Sequence, residues 1–326
     1  MANGKLLRQL IKSGLQGDQA NFRAASEAVI SEEREKNHHL LANDLQKLLY
    51  GGYSVGTSHT FKLNLAAKFP VNKDSGLSLL EERPVVREIN DLIVSSKTTS
   101  SIEEILQEHN RKDVLESYGL FPAQKLLFFG PPGCGKTLAA EVIASALSLP
   151  LILVRLDSLI SSFLGETASN LRKVFEYISA QQVVALFDEF DALTKDRGDS
   201  ADHGELKRSV NAVLQMMDSY RGNSILIATT NYESLLDKAV WRRFDEVVDF
   251  EMPDVDQIKR LISLKLSGVR RNFECTDESI AGLFSNLSHA DIERVLRRAV
   301  KEMILSNKEF LEVNHLQSAL NREHKL

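Results

Sequence analysis

The sequence predicts an α/β protein: a sandwich of helices around a mostly parallel sheet, followed by an all-α domain. Three observations carry this expectation. From about Lys125 to Met252, short apolar runs alternate with longer amphipathic stretches, the signature of strands joined by crossover helices. Pro253 ends the alternation, and beyond it only helical periodicity is found. Residues 130–137 read Gly-Pro-Pro-Gly-Cys-Gly-Lys-Thr, a glycine-rich turn lying between a strand pattern and a helix pattern.

In chain order, residues 1–50 read as a helical interaction segment. Leu6, Leu7, Leu10 and Ile11 share one face, Phe22, Ala25, Val29 and Ile30 a second, and Leu40, Leu41, Leu45, Leu48 and Leu49 a third. Glycines at 4, 14, 17, 51 and 52 punctuate them. Residues 51–75 form a linker, on the composition of GGYSVGTSHT. Residues 76–252 form the α/β domain and 253–326 a smaller helical one. Within the former, Leu92 to Val94 suggests a short strand, and Ser100/Ser101 followed by Glu103 and Glu104 suggests a helix start. Strands are expected at 125–129, 150–155, 182–187, 224–229 and 246–250, with helices at about 136–147, 167–180 and 204–219. Further helices are expected at about 255–267, 276–285, 289–306 and 314–323.

The octapeptide Gly130-Pro131-Pro132-Gly133-Cys134-Gly135-Lys136-Thr137 fits G-x-x-x-x-G-K-[ST]. At ordinary glycine and proline frequencies, its glycines and prolines coincide about once per million starts, so chance explains it poorly. Such a loop winds round an anion with successive N–H groups pointing at phosphate oxygens, and Leu138 continues the helix whose N-terminus faces them. Lys136 reaches the β- and γ-phosphates, and the Thr137 hydroxyl ligates Mg²⁺. A second segment agrees. The apolar run Gln182 to Phe187 ends in Asp188-Glu189, which supplies one carboxylate to hold Mg²⁺ and another to activate water. The expected cofactors are ATP and Mg²⁺.

Composition sets bounds. The apolar fraction is 43% and the net charge −5, with both signs mixed along the chain. That argues against a nucleic-acid footprint, which is usually a basic face. The two cysteines, Cys134 and Cys275, build no disulfide framework and suit a reducing, cytoplasmic compartment. No apolar stretch approaches the length that spans a bilayer, and no signal-peptide core is evident.

Taken in order, these pieces resemble the AAA family proper, the ATPases associated with diverse cellular activities. The resemblance covers roughly residues 75–326 and includes Tyr118-Gly119-Leu120-Phe121-Pro122 before the loop and the Asp188-Glu189 pair. It extends to Ile227-Ala228-Thr229-Thr230-Asn231, like a sensor-1 strand, and to Leu236 through Asp245, like an arginine-finger segment. Ser288-His289-Ala290-Asp291-Ile292 resembles the Ser-Gly-Ala-Asp stretch that opens a lid helix.

The resemblance implies a P-loop NTPase α/β/α sandwich with a C-terminal helical lid, and an ATPase assembled as a homo-oligomeric ring, expected to be a hexamer promoted by ATP. It implies that Asn231 contacts the γ-phosphate and the attacking water, and that Arg242 or Arg243 acts on ATP in the neighbouring subunit. The adjacent pair is similar to the Arg-Arg-Phe form of the microtubule-severing branch. It implies an adenine contact for His289 and Ala290. His289 stands where the family has glycine, so it either stacks on the base or caps the helix. Cys134 replaces the usual Thr at a position that works through its backbone, and Asp291 occupies the place of a sensor-2 arginine in broader relatives.

Ser162-Phe163-Leu164-Gly165-Glu166 resembles the aromatic-aliphatic-Gly pore loop of unfoldases, with Phe163 as grip, Leu164 as its apolar neighbour and Gly165 as the small flexible residue. The alternative is a buried Phe163 at the foot of the next helix. Arg197 to Glu205 is placed like a second pore loop, or is a solvent loop. The expected activity is therefore ATP-driven remodelling of polypeptides threaded through a central pore. A nucleic-acid motor or loader, and a nucleotide-switched scaffold, are the alternatives. Similarity to small prokaryotic members implies an adaptor or a separate protease as partner of the N-terminal helices. The chain carries no HExxH or G-x-S-x-G of its own.

Overall fold

The computed structural model describes residues 12, 22, 24–28, 31, 69–72, 75–159, 166–190, 212–231 and 238–323. The chain divides into two compact units, Met1–Thr60 and Phe61–Leu326. The described residues of the first are helical; there Ala25 is buried and the Ser26 hydroxyl donates to the Phe22 carbonyl one turn back at 2.8 Å. The expected faces at 6–11 and 40–49, the linker GGYSVGTSHT, the Phe163-Leu164-Gly165 loop and Arg197 to Glu205 lie outside the described residues.

The second unit begins with strand β1 (Leu80–Arg83), a 3₁₀ turn (Ile89–Asp91) and helices α1 (Ser96–Asn110) and α2 (Lys112–Ser117). Strand β2 (Lys125–Phe129) follows, then α3 (Lys136–Ala146), β3 (Leu151–Val154), α4 (Leu156–Leu159), α5 (Glu166–Ser179) and β4 (Val184–Phe187). After a helix over residues 212–219 (α6) come β5 (Ile225–Thr230), α7 (Lys238–Trp241) and β6 (Glu246–Asp249). The helical lid comprises α8 (Val255–Lys265), α9 (Glu278–Gly282), α10 (His289–Leu305) and α11 (Val313–Glu323). Among the described residues, no helix is long and apolar enough to cross a membrane.

The sheet has the order β1-β3-β4-β5-β2-β6 and is parallel except for β1, which runs antiparallel to β3. Parallel strands are covered on both faces, and alternate residues along β2 show it. Leu127 points into one core with Leu171, Val174 and Phe175 of α5 and Val213 of α6. Leu126 and Phe128 point into the other with Ile102 and Ile105 of α1 and Ala139, Val142 and Ile143 of α3.

Register sets the site. Phe129 of β2 pairs with Thr230 of β5, and Phe187 of β4 with Ala228 of β5. The segments leaving these three strands, at 130, 188 and 231, therefore emerge side by side at the carboxyl edge, where open α/β sheets bind ligands.

The structure corrects four local expectations. Leu92–Val94 is extended but pairs with no strand. Its side chains instead alternate between two cores: Leu92 and Val94 enter the α/β core and Ile93 the lid core. Helix α1 begins at Ser96, not at Ser100/Ser101, because the Ser95 hydroxyl accepts from the Thr98 N–H at 3.2 Å and caps it earlier. Strand β1 carries no strand signal in the sequence, since Leu-Glu-Glu-Arg lacks apolar alternation; an edge strand buried only at its start needs little. Finally, the cap of α10 is Ser288, whose hydroxyl accepts from Asp291 N–H in a reciprocal capping box. His289 is the first helical residue and does not cap.

Candidate active site

The glycine-rich loop is shaped by close approaches that only glycine permits at two positions. Gly130 has φ 133°, and a Cβ there would meet the Phe250 carbonyl oxygen at 2.1 Å. Gly133 has φ 74°, and a Cβ there would meet the Ser288 Oγ at 2.5 Å. The loop is thus pinned on one side to the end of β6 and on the other to the start of lid helix α10. A hydrogen bond from Ala290 N–H to the Gly133 carbonyl, 3.0 Å, completes the second contact.

Cys134 is buried, its Sγ 3.8 Å from the Pro132 carbonyl and 3.6 Å from Met252 Sδ. Burial pushes its thiol up, more than Lys136 draws it down. An inert, protonated side chain turned inward fits a position that acts through its backbone.

Lys136 and Thr137 open helix α3, whose first N–H groups have no intrahelical partners and face outward. The Lys136 ammonium is folded over the loop and donates to the carbonyls of Gly130 and Pro131, each at 2.8 Å. The Thr137 hydroxyl lies 3.2 Å from both carboxylate oxygens of Asp188. Asp188 is also fixed from β5: Thr229 Oγ1 donates to its Oδ1 at 2.6 Å and accepts from the Glu189 N–H at 3.0 Å.

Glu189 sits at φ 52°, a left-handed conformation uncommon for a non-glycine residue. Held there by Thr229, it is exposed at the cleft rather than continuing β4 inward. Backbone strain of this kind collects at functional sites. Asn231, the residue after β5, lines the same cleft.

The cleft has a volume of about 360 Å³, within the range of small-molecule sites. Of the residues singled out by sequence, Pro132, Gly133, Gly135, Lys136, Thr137, Leu138, Asp188, Glu189, Asn231, His289 and Ala290 line it. Gly130, Pro131 and Cys134 support the loop from outside.

Arg242 and Arg243 are not brought to the cleft. Arg243 donates to Asp218 at 2.6 Å, whereas Arg242 is exposed and makes no ion pair with any described residue. The adjacent Trp241 packs edge-on against Phe129 with centroids 4.8 Å apart, anchoring the segment at the end of β2.

Sequence reasoning missed the opposite wall. Asp91, Leu92 and Ile93 line the cleft beside Leu261 and Lys265 of α8 and Glu293 of α10. Lys265 lies four residues after Leu261, and Glu293 four after His289, so each pair shares a helix face, but that spacing by itself marks no cleft. Neither ring nitrogen of His289 is solvent-accessible or makes a well-formed hydrogen bond. Burial lowers its pKa; the Ile93 backbone and Asp254 oppose this without reversing it.

The donor set fits a nucleoside triphosphate with a hard divalent cation. Outward N–H groups and a lysine suit phosphates, and hydroxyl plus carboxylate oxygens suit Mg²⁺, which binds through one or two carboxylates and completes its shell with substrate phosphate and water. Among the described residues no cluster of three or more His, Cys, Asp or Glu side chains is placed to hold a metal by itself.

Comparison with known proteins agrees with this geometry. Residues 126–252 match the family model described as "ATPase family associated with various cellular activities (AAA)". The chain is 40% identical over 323 residues to y4kL of Sinorhizobium fredii, an uncharacterized AAA family ATPase, covering 99% of this chain and 96% of that protein. It is 30% identical over 252 residues to a proteasome-activating nucleotidase of Methanococcus maripaludis, covering 74% of this chain but only 61% of that protein. Among solved structures, the crystal structure of the FIGL-1 AAA domain is similar with a TM-score of 0.60 and 21% identity. It covers 74% of this chain and 85% of that one, a likeness of fold.

Proposed function

The chain belongs to the AAA family of ATPases, and from that premise we propose that it uses ATP hydrolysis at this cleft to remodel other proteins by drawing them through the pore of a homo-oligomeric ring. The observation that carries the ATPase chemistry is the joint fixing of Thr137, Asp188 and Glu189 at the carboxyl edge of the sheet. Similarity to a proteasome-activating nucleotidase supports the protein-remodelling half. The acidic net charge weighs against a nucleic-acid motor.

In this reading the N–H groups of residues 133–137 and the Lys136 ammonium hold the phosphates, and Thr137 and Asp188 hold Mg²⁺. When bound, the cation neutralises charge on the β- and γ-phosphates. Glu189 accepts the proton of the attacking water, while Asn231 orients it. Gly130, Pro131, Pro132 and Cys134 set the loop, and Leu138, His289 and Ala290 flank the nucleotide. We assign the arginine finger to Arg242: Arg243 is committed to Asp218 within its own chain, and Arg242 points to solvent. The compartment is cytoplasmic and the ring a hexamer; an adaptor or separate protease is the partner of the N-terminal segment.

Arg242→Ala should lower turnover by about 10³-fold or more, the scale of such arginines. Arg243→Ala should act through its exposed ion pair, worth about 0–1 kcal/mol. Mixing Arg242→Ala with Lys136→Ala protein should restore part of the turnover, since each supplies what the other lacks across one interface. No recovery in verified mixed assemblies would count against action in trans.

Phe163 tests the remodelling half. Phe163→Ala should leave basal ATP hydrolysis and assembly near wild type while abolishing unfolding of a tagged model substrate, and Phe163→Tyr should retain it. A buried Phe163 would instead cost about 3–5 kcal/mol on truncation. Lost ATPase with a large drop in melting temperature would end the pore-loop assignment.

A further inference from the structure

The lid wall of the cleft is graded. Leu261 is 5% exposed, and both His289 nitrogens are shut off from solvent; with Ile93 they make a dry inner surface. One helical turn further along each helix stand Lys265 and Glu293, whose side chains are 36% and 37% exposed. They join α8 to α10 through an ion pair of 2.8 Å at the mouth, and Arg297 grips the same carboxylate at 2.8 Å from the following turn.

From this arrangement we propose that the Glu293–Lys265 pair is a ribose-reading element, through which the site selects ribonucleotides over deoxyribonucleotides. The inference rests on the nucleotide reading above. A carboxylate at the mouth repels phosphates, which the loop and Lys136 already hold at the other end, and the dry inner surface suits a flat heterocycle. What remains of a nucleotide is an uncharged vicinal diol. Its hydroxyls donate to a carboxylate and accept from an ammonium, and Glu293 and Lys265 present one of each, side by side.

The acceptor is also prepared. Burial raises the Glu293 carboxyl, but Lys265 and Arg297 together outweigh burial and hold it below its ordinary value. It therefore remains an ionised acceptor at neutral pH, and cations on two sides fix its orientation. A carboxylate that accepts from a ribose hydroxyl is a known device of dinucleotide sites on unrelated α/β sheets; here it stands on the lid instead of the sheet.

Calorimetric titration of the full chain with ADP, 2′-deoxy-ADP and 3′-deoxy-ADP tests this without reference to turnover. Wild-type protein should bind at least one deoxy analogue about tenfold more weakly than ADP, the loss of one hydrogen bond to a charged group. Glu293→Gln should weaken ADP to the level of that analogue and bring the ratio below twofold. Lys265→Met, which frees the carboxylate while keeping the stem, should reduce the ratio as well, and serves if the Gln variant melts early. Equal affinity of wild type for all three ligands, or an undiminished ratio in Glu293→Gln, overturns the inference. So does finding that Glu293→Gln changes discrimination only against inosine diphosphate, since the carboxylate would then read the base. Failure to bind ADP at all would instead strike the nucleotide reading itself.

Discussion

Lys136→Ala protein is expected to lose nucleotide affinity by about 10²-fold or more. Lys136 is the one cation that the glycine-rich loop itself supplies, and the residue is 7% exposed, its ammonium folded over the loop to the carbonyls of Gly130 and Pro131. A charged hydrogen bond is worth about 1.5–3 kcal/mol, and an ammonium placed here makes more than one with a polyphosphate. Truncation also deprives two carbonyls of their donor, so a modest fall in melting temperature accompanies the loss. Titration with a fluorescent ATP analogue, on protein whose circular dichroism matches wild type, is the measurement. Binding within a fewfold of wild type would remove Lys136 from the phosphate site.

Glu189→Gln should separate binding from chemistry. The side chain keeps its size, the Thr229 hydroxyl still receives the backbone N–H, and neither the loop nor Asp188 is disturbed, so ATP affinity should stay within about twofold. Turnover should fall by about 10²–10⁴, the usual worth of a positioned general base. Steady-state phosphate release beside the same binding titration decides it. Near-normal release would mean that Glu189 does not accept the proton.

The phosphate side of the site was legible because its demands are local. A loop that wraps an anion needs glycines at fixed offsets, and a carboxylate at a strand tip needs only the apolar run before it. Residues 130–137, Asp188 and Glu189 therefore announce themselves in order, whereas Asn231 is marked only by the family resemblance of the strand before it. The lid side was not legible in the same way. Leu261, Lys265 and Glu293 are ordinary members of amphipathic helices, and only the packing of α8 on α10 turns them toward a cleft. Thr229 hid for a different reason: within Ile-Leu-Ile-Ala-Thr-Thr it reads as strand, and its service to Asp188 and Glu189 depends on β5 lying next to β4. The segment 92–94 misled because its apolar triplet is real but is divided between two cores rather than laid into a sheet. Arg242 and Arg243 were equivalent on paper; only Asp218, one helix away in α6, distinguishes them.

That division of Leu92, Ile93 and Val94 sets an energy scale for movement. The lid cannot turn far on the α/β body without drawing Ile93 out of one apolar interior or its two neighbours out of the other. Re-exposing one such side chain costs about 1.5–3 kcal/mol, the size of the coupling free energies by which a ligand at one site influences another. The segment thus acts as a restoring element between lid and body: any turn of one against the other large enough to uncover these side chains must supply a free energy of that order.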